Sequence, residues 1–474
     1  MAWLFILIPI LAVIALNLPF GVSYRKLAYP AALLLAVSQV LFVLLPPETV
    51  LASGACPLCP FLFRSLDALG KIMILSIGIV AFCSVIAGWH LTERAERKFD
   101  FANLIILAMA GMNGIILSGD LFTLYVFLEI VAVASFILIA MDKNKSSLEG
   151  AFKYLILSAV ATILMLSSIA MIVMLTGGTT FADAAMVMRS GSNVPLGLFA
   201  AGLFLTGLLI KGGLVPFHGW LPDAYTAAPN GVSIFLAGIV TKTTGIYTII
   251  KLVTAVTGFS GPVQKILLLF GALSAVAGAF GALSQKNFKR MLAYSSISQM
   301  GYIVLALGAA NPIAIMGAAF HLFNHAIFKS QLFINAAAVE ESTQTLDMDR
   351  LGGLAEKMPV TGATSLIAFL STAGIPPLAG FWSKLLIIIG LWVAGFRVYA
   401  VIAVLTSVVT LAYFLSMQRR VFFGKLSAEL SHITEANGPL TYTAVLLAII
   451  TIGAGIFFPF ILNNLIIPVK AILG

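Results

Sequence analysis

Runs of about twenty apolar residues recur from one end of this 474-residue chain to the other. A helix rises 1.5 Å per residue, so about twenty apolar residues are what it needs to cross the hydrocarbon core of a membrane. Only 9% of the residues are charged and 61% are hydrophobic, whereas an ordinary soluble domain carries about 25% charged residues. The runs are continuous rather than alternating, which excludes a transmembrane β-barrel. The chain therefore reads as an all-α, polytopic membrane protein. The longest polar stretches, 340–357 and 419–438, are too short to bury a core of their own. The first run, 1–20, lacks a basic start and a cleavage site and reads as a retained first helix rather than a signal peptide.

About fourteen spans are expected: 1–20, 27–46, 71–92, 101–118, 121–141, 151–176, 197–221, 229–257, 264–284, 291–309, 312–339, 359–394, 397–417 and 439–467. Lysine and arginine placement orients them. Alternate loops hold fifteen basic residues, among them Arg94, Arg97, Lys98, Lys286, Lys289 and Arg290. The opposite loops and the C-terminus hold seven, Lys251 included. The fifteen mark the cytoplasmic side of a prokaryotic inner membrane, with both termini on the outer face. The net charge of +9 reflects this bias and is not a nucleic-acid signal. Cys56 and Cys59 then fall outside, where a disulfide is chemically allowed. As half of a metal site they lack a second Cys or His cluster.

Five basic residues remain inside spans: Lys153, Lys211, Lys242, Lys329 and Lys384. A charge at membrane depth costs roughly 2.5 to 3.5 kcal/mol on insertion scales and is rarely kept without a use. Lys153 lies near enough to a cytoplasmic end to snorkel. Lys211 is followed at once by Gly212, Gly213 and Pro216, and Lys384 follows Gly374-Ile-Pro-Pro377. Proline lacks an N–H and clashes with the preceding turn, so both spans read as broken helices. Interruptions at matching places, about 165 residues apart, point to an internal repeat.

Glu129 is the one acid in the middle of an apolar run. Its plain alternative is a structural acid satisfying a neighbouring polar group. As a partner of a buried lysine it makes a switchable proton site, because burial and a movable carboxylate act on a lysine's proton in opposite directions. Lys211 and Lys242 lie on consecutive antiparallel spans and can face one interior path. His321, His325 and Lys329 are spaced i, i+4, i+8, which sets them along one side of a helix. Such a row can hand a proton on, since neutral histidine both donates and accepts. A satisfied structural histidine pair is the alternative, and metal binding lacks a third ligand. Tyr294, Ser295, Ser296, Ser298 and Gln299 add polar atoms nearby, for water or for helix packing. His218 and Asp223 close the first broken span and are candidates for gating or anchoring its cytoplasmic mouth. There is no Walker loop, no cysteine run for an iron–sulfur cluster and no dinucleotide fingerprint. No cofactor is expected in this chain.

Five motifs occur together: LFTLYVFLEI, KGGLVPFHGWLPDA, GALSQKNFKRMLAYSSISQMGY, HLFNHAIFKSQLF and AGIPPLAGFWSK. On these, the chain from roughly 100 to 425 resembles the antiporter-like subunits of respiratory complex I, of membrane-bound energy-converting hydrogenases and of Mrp multisubunit Na⁺/H⁺ antiporters. The resemblance implies fourteen helices with two inverted five-helix repeats, each containing a broken helix, and a hydrophilic axis at the mid-plane. The divisions it implies are N-terminal helices at 1–100, repeats at 101–257 and 258–417, and a C-terminal loop and helix at 418–474. Carried over, Glu129 resembles the glutamate that pairs with the broken-helix lysine, Lys211. Lys242 resembles the connecting lysine, His321, His325 and Lys329 the relay into the second half, and Lys384 the terminal lysine, where some members carry glutamate. The absence of a long lateral helix after the last span departs from the distal complex I subunit.

The function expected is that of an ion-translocating, non-redox membrane subunit of a redox-driven complex, hydrogenase-like or complex I-like. Iron–sulfur clusters and further antiporter-like, small transmembrane and peripheral redox chains are expected as partners. The alternative is a Mrp-type antiporter subunit driven by the ion gradient. A solitary transporter of small organic solutes fits worse, because the interior charges form a linear series rather than one pocket. A mere scaffold would not keep five interior charges.

Overall fold

The computed structural model describes residues 3–18, 25–45, 66–92, 94–189, 194–426 and 428–473. Cys56 and Cys59, and with them the disulfide expectation, lie outside the described residues. The chain opens with α1 (Leu4–Leu16), α2 (Ala28–Leu44) and α3 (Ala68–Leu91). A first group follows: α4 (Ala95–Leu117), α5 (Leu121–Ile139), α6 (Lys145–Thr176), α7 (Phe181–Arg189), α8 (Val194–Lys211), α9 (Trp220–Ala227) and α10 (Asn230–Thr257). A second group comprises α11 (Gly261–Leu283), α12 (Phe288–Gly308), α13 (Pro312–Thr343), α14 (Pro359–Ala373), α15 (Ala379–Val393) and α16 (Arg397–Val421). Two more helices, α17 (Gly438–Ile456) and α18 (Phe458–Ala471), end the chain.

Among the described residues ten helices are long and apolar enough to cross a membrane, and extended pairing is limited to two isolated bridges. The 32-residue α13 is not one of the ten. Its middle carries His321, Asn324, His325, Lys329 and Gln331, which dilute its hydropathy although all five are buried. The short α7 was not expected from the sequence. It fills the link between α6 and α8.

Burial sorts the helices. The most apolar stretch of α10 is 100% buried and that of α12 94%, against 33% for α6 and α16. The interior is therefore built from α10, α12 and α13, and α6 and α16 present much of their surface outward. With lipid tails as apolar as leucine, burial by itself does not drive helices together in a membrane, and close packing and polar contacts do.

The two groups start their helices alike. Asp120 caps α5, its Oδ1 accepting from the N–H groups of Phe122 and Thr123 at 2.9 Å each. Asn287 caps α12 through Arg290 N–H at 3.0 Å. Asn144 caps α6 and Asn311 caps α13 in the same way. Each cap satisfies an N–H that the helix itself leaves free. Asp120 and Asn287 are 167 positions apart (287 less 120), as are Asn144 and Asn311, and α6 and α13 are both 32 residues long. The two isolated bridges, Asp120 with Thr180 and Asn287 with Asp347, repeat at that spacing too.

On the polar face after α13, Asp349 is bound by Arg420 and by Lys286, the latter at 3.3 Å. The Arg420 guanidinium first, and Lys286 next, hold its carboxyl below the ordinary aspartate range. A carboxyl depressed on folding contributes stability that is present above its unfolded value and is lost as pH falls through the folded one. The site is open to solvent, so the effect is small and screened by salt. Asp349→Asn should lower the melting temperature of the detergent-solubilised protein slightly at neutral pH and low salt. The difference should vanish on acidification below the carboxylate range.

Candidate functional site

Helix α8 stops at Lys211. Gly212 N–H still reaches Leu208 C=O at 2.8 Å, and Gly213, at φ +61°, turns the chain out of the helix. A cis Val215–Pro216 bond follows. Membrane depth offers no bulk water to the broken ladder, so its groups need protein partners. Val215 N–H donates to Ser274 Oγ at 3.0 Å and Trp220 Nε1 donates to Ile210 C=O at 3.0 Å. The second break is built alike, with Gly374 at φ +89° and a cis Pro376–Pro377 bond.

Lys211 is 3% exposed. Its Nζ donates to Glu129 Oε1 at 3.0 Å and to Ser158 Oγ at 3.0 Å, and Thr162 Oγ1 donates to the same carboxylate oxygen at 2.8 Å. Three helices, α5, α6 and α8, thus converge on one ion pair. The Glu129 side chain is 29% exposed, so the pair has one sealed end and one accessible end.

Helix α10 crosses the break of α8 directly. A Cβ on Gly245 would strike the Cα of Gly212, and Gly238 lies against Ser330 of α13. Around Lys242, α10 leaves the α-ladder for π-helical turns at Leu236–Val240 and Lys242–Tyr247. Lys242 is fully buried, and its Nζ donates to Ala237 C=O within its own helix. The π-helical stretch carries an extra residue in its turn, and one of its own carbonyls holds the Lys242 side-chain nitrogen.

On α13, His321, His325 and Lys329 are all fully buried. The two imidazoles stack with centroids 6.2 Å apart. His321 Nδ1 lies 2.9 Å from Ser383 Oγ on α15. Lys329 Nζ donates to Leu292 C=O at 3.0 Å and to Ser295 Oγ, both on α12. Lys384, 3% exposed, lies 4.7 Å from the centroid of the Tyr302 ring, a contact a cation finds favourable. His325 is placed where the charges of Lys242, Lys329 and Lys384 all act on it. Among the described residues, Lys242, Lys329 and Lys384 have no carboxylate within ion-pair distance. Ammonium groups without counter-ions repel one another strongly at low dielectric, so a proton on one disfavours a proton on the next. Both ring nitrogens of His325, Nε2 of His321 and the amide of Gln299 are buried without a hydrogen-bond partner in the protein. Buried polar groups of that kind are where water enters a protein interior.

Asp223 on α9 accepts from Arg290 Nη1 at 2.5 Å and from Lys153 Nζ at 2.7 Å, and Lys153 also meets Glu149 at 2.7 Å. Lys153 is thus held by two acids rather than only snorkelling. His218 faces Tyr294 with ring centroids 6.3 Å apart, and Arg290 of the Asp223 pairs lies 5.8 Å from the centroid of the same ring.

Several contributors were not singled out by sequence. Ser158 and Thr162 look like ordinary packing hydroxyls on an apolar helix, and only the fold aims them at Glu129 and Lys211. Tyr302 lies one turn beyond the polar residues of its helix. Lys251 and Lys289, expected among the loop charges, lie inside helices. Lys251 donates to Ile115 and Ile116 C=O at 2.9 and 2.8 Å, and Lys289 is 3% exposed. Among the described residues no group of three His, Cys, Asp or Glu could hold a metal ion.

A family model described as "NADH:quinone oxidoreductase/Mrp antiporter, TM" matches residues 118–410. The chain is 36% identical over 397 residues to NADH-quinone oxidoreductase subunit N of Desulforudis audaxviator, covering 79% of each chain. It is 32% identical over 390 residues to a subunit of the Na⁺/H⁺ antiporter of Alkalihalophilus pseudofirmus, covering 82% of this chain and 79% of that one. Its fold matches a chain of the Mrp complex from Dietzia sp. DQ12-45-1b with a TM-score of 0.89 at 23% identity, covering 100% of this chain and 99% of that chain.

Proposed function

Because the chain belongs to the NADH:quinone oxidoreductase/Mrp antiporter transmembrane family, we propose that it carries protons along its interior row as the non-redox membrane subunit of a redox-driven complex. The single observation behind this reading is the row of buried ionisable groups, Lys211, Lys242, His325, His321, Lys329 and Lys384, that begins at the Glu129–Lys211 pair. Only one of the buried lysines in that line, Lys211, is matched by an acid. A line with one counter-ion at one end is suited to moving charge rather than to storing it.

In this mechanism Glu129 controls Lys211. When the pair is closed, the carboxylate holds the ammonium. When a neighbour's charge draws the carboxylate away, Lys211 gives its proton onward. Lys242, held by a carbonyl of its own helix, receives it. His325 and His321, with ring nitrogens free to accept, and Lys329 pass it toward Lys384. Water at the unpartnered ring nitrogens and at Gln299 completes the line.

The partner chains are further membrane subunits and peripheral redox subunits that hold the iron–sulfur clusters. Glu129 shares one stripe of α5 with Phe122, Val126 and Val133, which are 48%, 38% and 42% exposed. That stripe is where a neighbouring subunit would lie against the pair. The fold proposed is fourteen spans arranged as two inverted five-helix repeats, and the recurrence of caps and bridges at 167 positions supports the repeat. Placement in a prokaryotic inner membrane with both termini outward follows the basic-residue bias. The ion pairs of Asp223 support its reading as an anchor for the cytoplasmic mouth.

A second reading, a Mrp-type antiporter subunit driven by the ion gradient, is favoured by the 32% identity to a Na⁺/H⁺ antiporter chain. Gentle purification of the native complex, identification of its subunits and an iron assay on the same sample separate the two. Iron and quinone-reductase- or hydrogenase-type partners are expected. Small membrane partners without iron would replace the redox reading by the antiporter one.

A further inference from the structure

Lys289 is a buried lysine that the row from Glu129 to Lys384 does not use. It stands in the first turn of α12 and is 3% exposed. Its Nζ donates to Ala228 C=O at 3.1 Å, in the link between α9 and α10. No carboxylate lies within ion-pair distance of it among the described residues. The charged groups that act on it are Glu340 on α13 and Asp142 after α5, with Arg290 next to it in sequence. Arg290 belongs to the Asp223 cluster, so Lys289 lies just inside the face that this cluster closes.

Two polar tracks lead inward from there. Along α12, Lys329 Nζ meets Leu292 C=O and Ser295 Oγ, one and two turns beyond Lys289. At 1.5 Å per residue, Leu292 is about 4.5 Å further along the helix axis than Lys289. Along α10, Ser233 Oγ donates to the same Ala228 carbonyl at 3.0 Å. Tyr225 OH lies 2.7 Å from Thr241 Oγ1, the residue before Lys242. Lys289 thus stands where the two groups of helices meet, with Ser233, Tyr225 and Thr241 on the side toward Lys242 and Leu292 C=O and Ser295 on the side toward Lys329.

We propose that Lys289 is a proton-loading residue, through which the interior row takes up protons from the face closed by Asp223 and Arg290. In each turn its ammonium gives one proton, by way of a hydroxyl or water, to a neutral lysine of the row. The neutral amine left behind takes one proton from the aqueous face, so charge and protons balance. This rests on the proton-carrying reading above. A structural lysine in this place would need only its positive charge and its donor to Ala228.

That difference sets the test. Arginine keeps both the charge and a donor but does not release its proton at any pH the protein meets. Lys289→Arg, Lys289→His and a control, Lys329→Arg, would be made in the native complex. Membrane vesicles would be assayed for assembled complex and for proton uptake with a pH-sensitive dye. Lys289→Arg should assemble and lose about a hundredfold or more of its proton uptake, the range expected when a positioned proton donor is removed. Lys289→His should keep part of it, with the pH profile moved to the acid side, because histidine holds its proton to about pH 6.5 and lysine to about 10.4. Normal uptake in Lys289→Arg, with Lys329→Arg blocked, would overturn the assignment of Lys289 alone. Normal uptake in both arginine variants would overturn the proton-carrying reading itself. Should Lys289→Arg fail to assemble, an unshifted pH profile in Lys289→His overturns the inference.

Discussion

Lys211→Met is expected to abolish proton translocation by the assembled complex, down to the background of membranes lacking it. Methionine matches the length of the lysine stem and buries without cost in the pocket where Lys211 is 3% exposed. What disappears is the one ammonium that Glu129 holds at 3.0 Å. The carboxylate left behind is 29% exposed and keeps Thr162 as a donor, so it is not stranded. The reverse change is harsher. Glu129→Ala leaves a buried lysine without its counter-ion, and breaking a buried pair from one side typically costs about 3 to 5 kcal/mol. Lys211→Met therefore separates mechanism from folding more cleanly. The measurement pairs the amount of assembled complex with dye-reported acidification of vesicles. Full complex with no proton movement is the expected result. Full complex with normal movement would remove Lys211 from the pathway, and with it the switch assigned to Glu129.

Gly245→Val should prevent the chain from accumulating in the membrane at all. A Cβ at this position would collide with the Cα and N of Gly212, backbone against backbone, at the point where α10 crosses the broken α8. Neither side can give, since Gly212 belongs to the turn that ends the helix at Lys211. Overpacking a tight core costs roughly 1 to 3 kcal/mol when side chains can move aside. Here the cost should exceed that and compare with a large part of a typical domain's stability of about 5 to 15 kcal/mol. Immunoblots of membranes, with Gly202→Val as the control, check this. Nothing lies within 4 Å of a Cβ built at Gly202, so the control should accumulate normally. Equal amounts of the two variants would show that the crossing is looser than its geometry implies.

Much of this architecture is legible in the sequence because membrane depth penalises every charge and every break. Lys211, Lys242, Lys329 and Lys384 stand out against apolar surroundings, and Gly213-to-Pro216 and Gly374-to-Pro377 mark the breaks by the conformations they need. The partner of Lys211 is also readable, since Glu129 is the one acid in the middle of an apolar run. The hydroxyls that complete the pair are not. In the sequence Ser158 and Thr162 look like the many serines and threonines that bond back to their own helix. Only the packing of α6 against α5 and α8 distinguishes them. Lys251 and Lys289 lie near the ends of spans, where a side chain that snorkels and one that is buried look the same in a sequence. The π-helical turns of α10 leave no mark either, because backbone hydrogen-bond register is not written in hydropathy.

The spacing of 167 positions has one further consequence. Carried across it, Glu129 falls on Ser296, Ser158 on His325 and Thr162 on Lys329. The two hydroxyls that steady the ion pair in one half thus stand where the other half keeps a histidine and a lysine. A perfectly duplicated structure would look the same from either end and would give a travelling charge no reason to prefer one heading. Here the caps and bridges recur and the chemistry does not. One half holds an acid beside its base, and the other holds bases alone. If the row carries protons as proposed, the asymmetry that turns a corridor into a one-way street resides in a few side chains, and could be redrawn by exchanging them while every helix stays where it is.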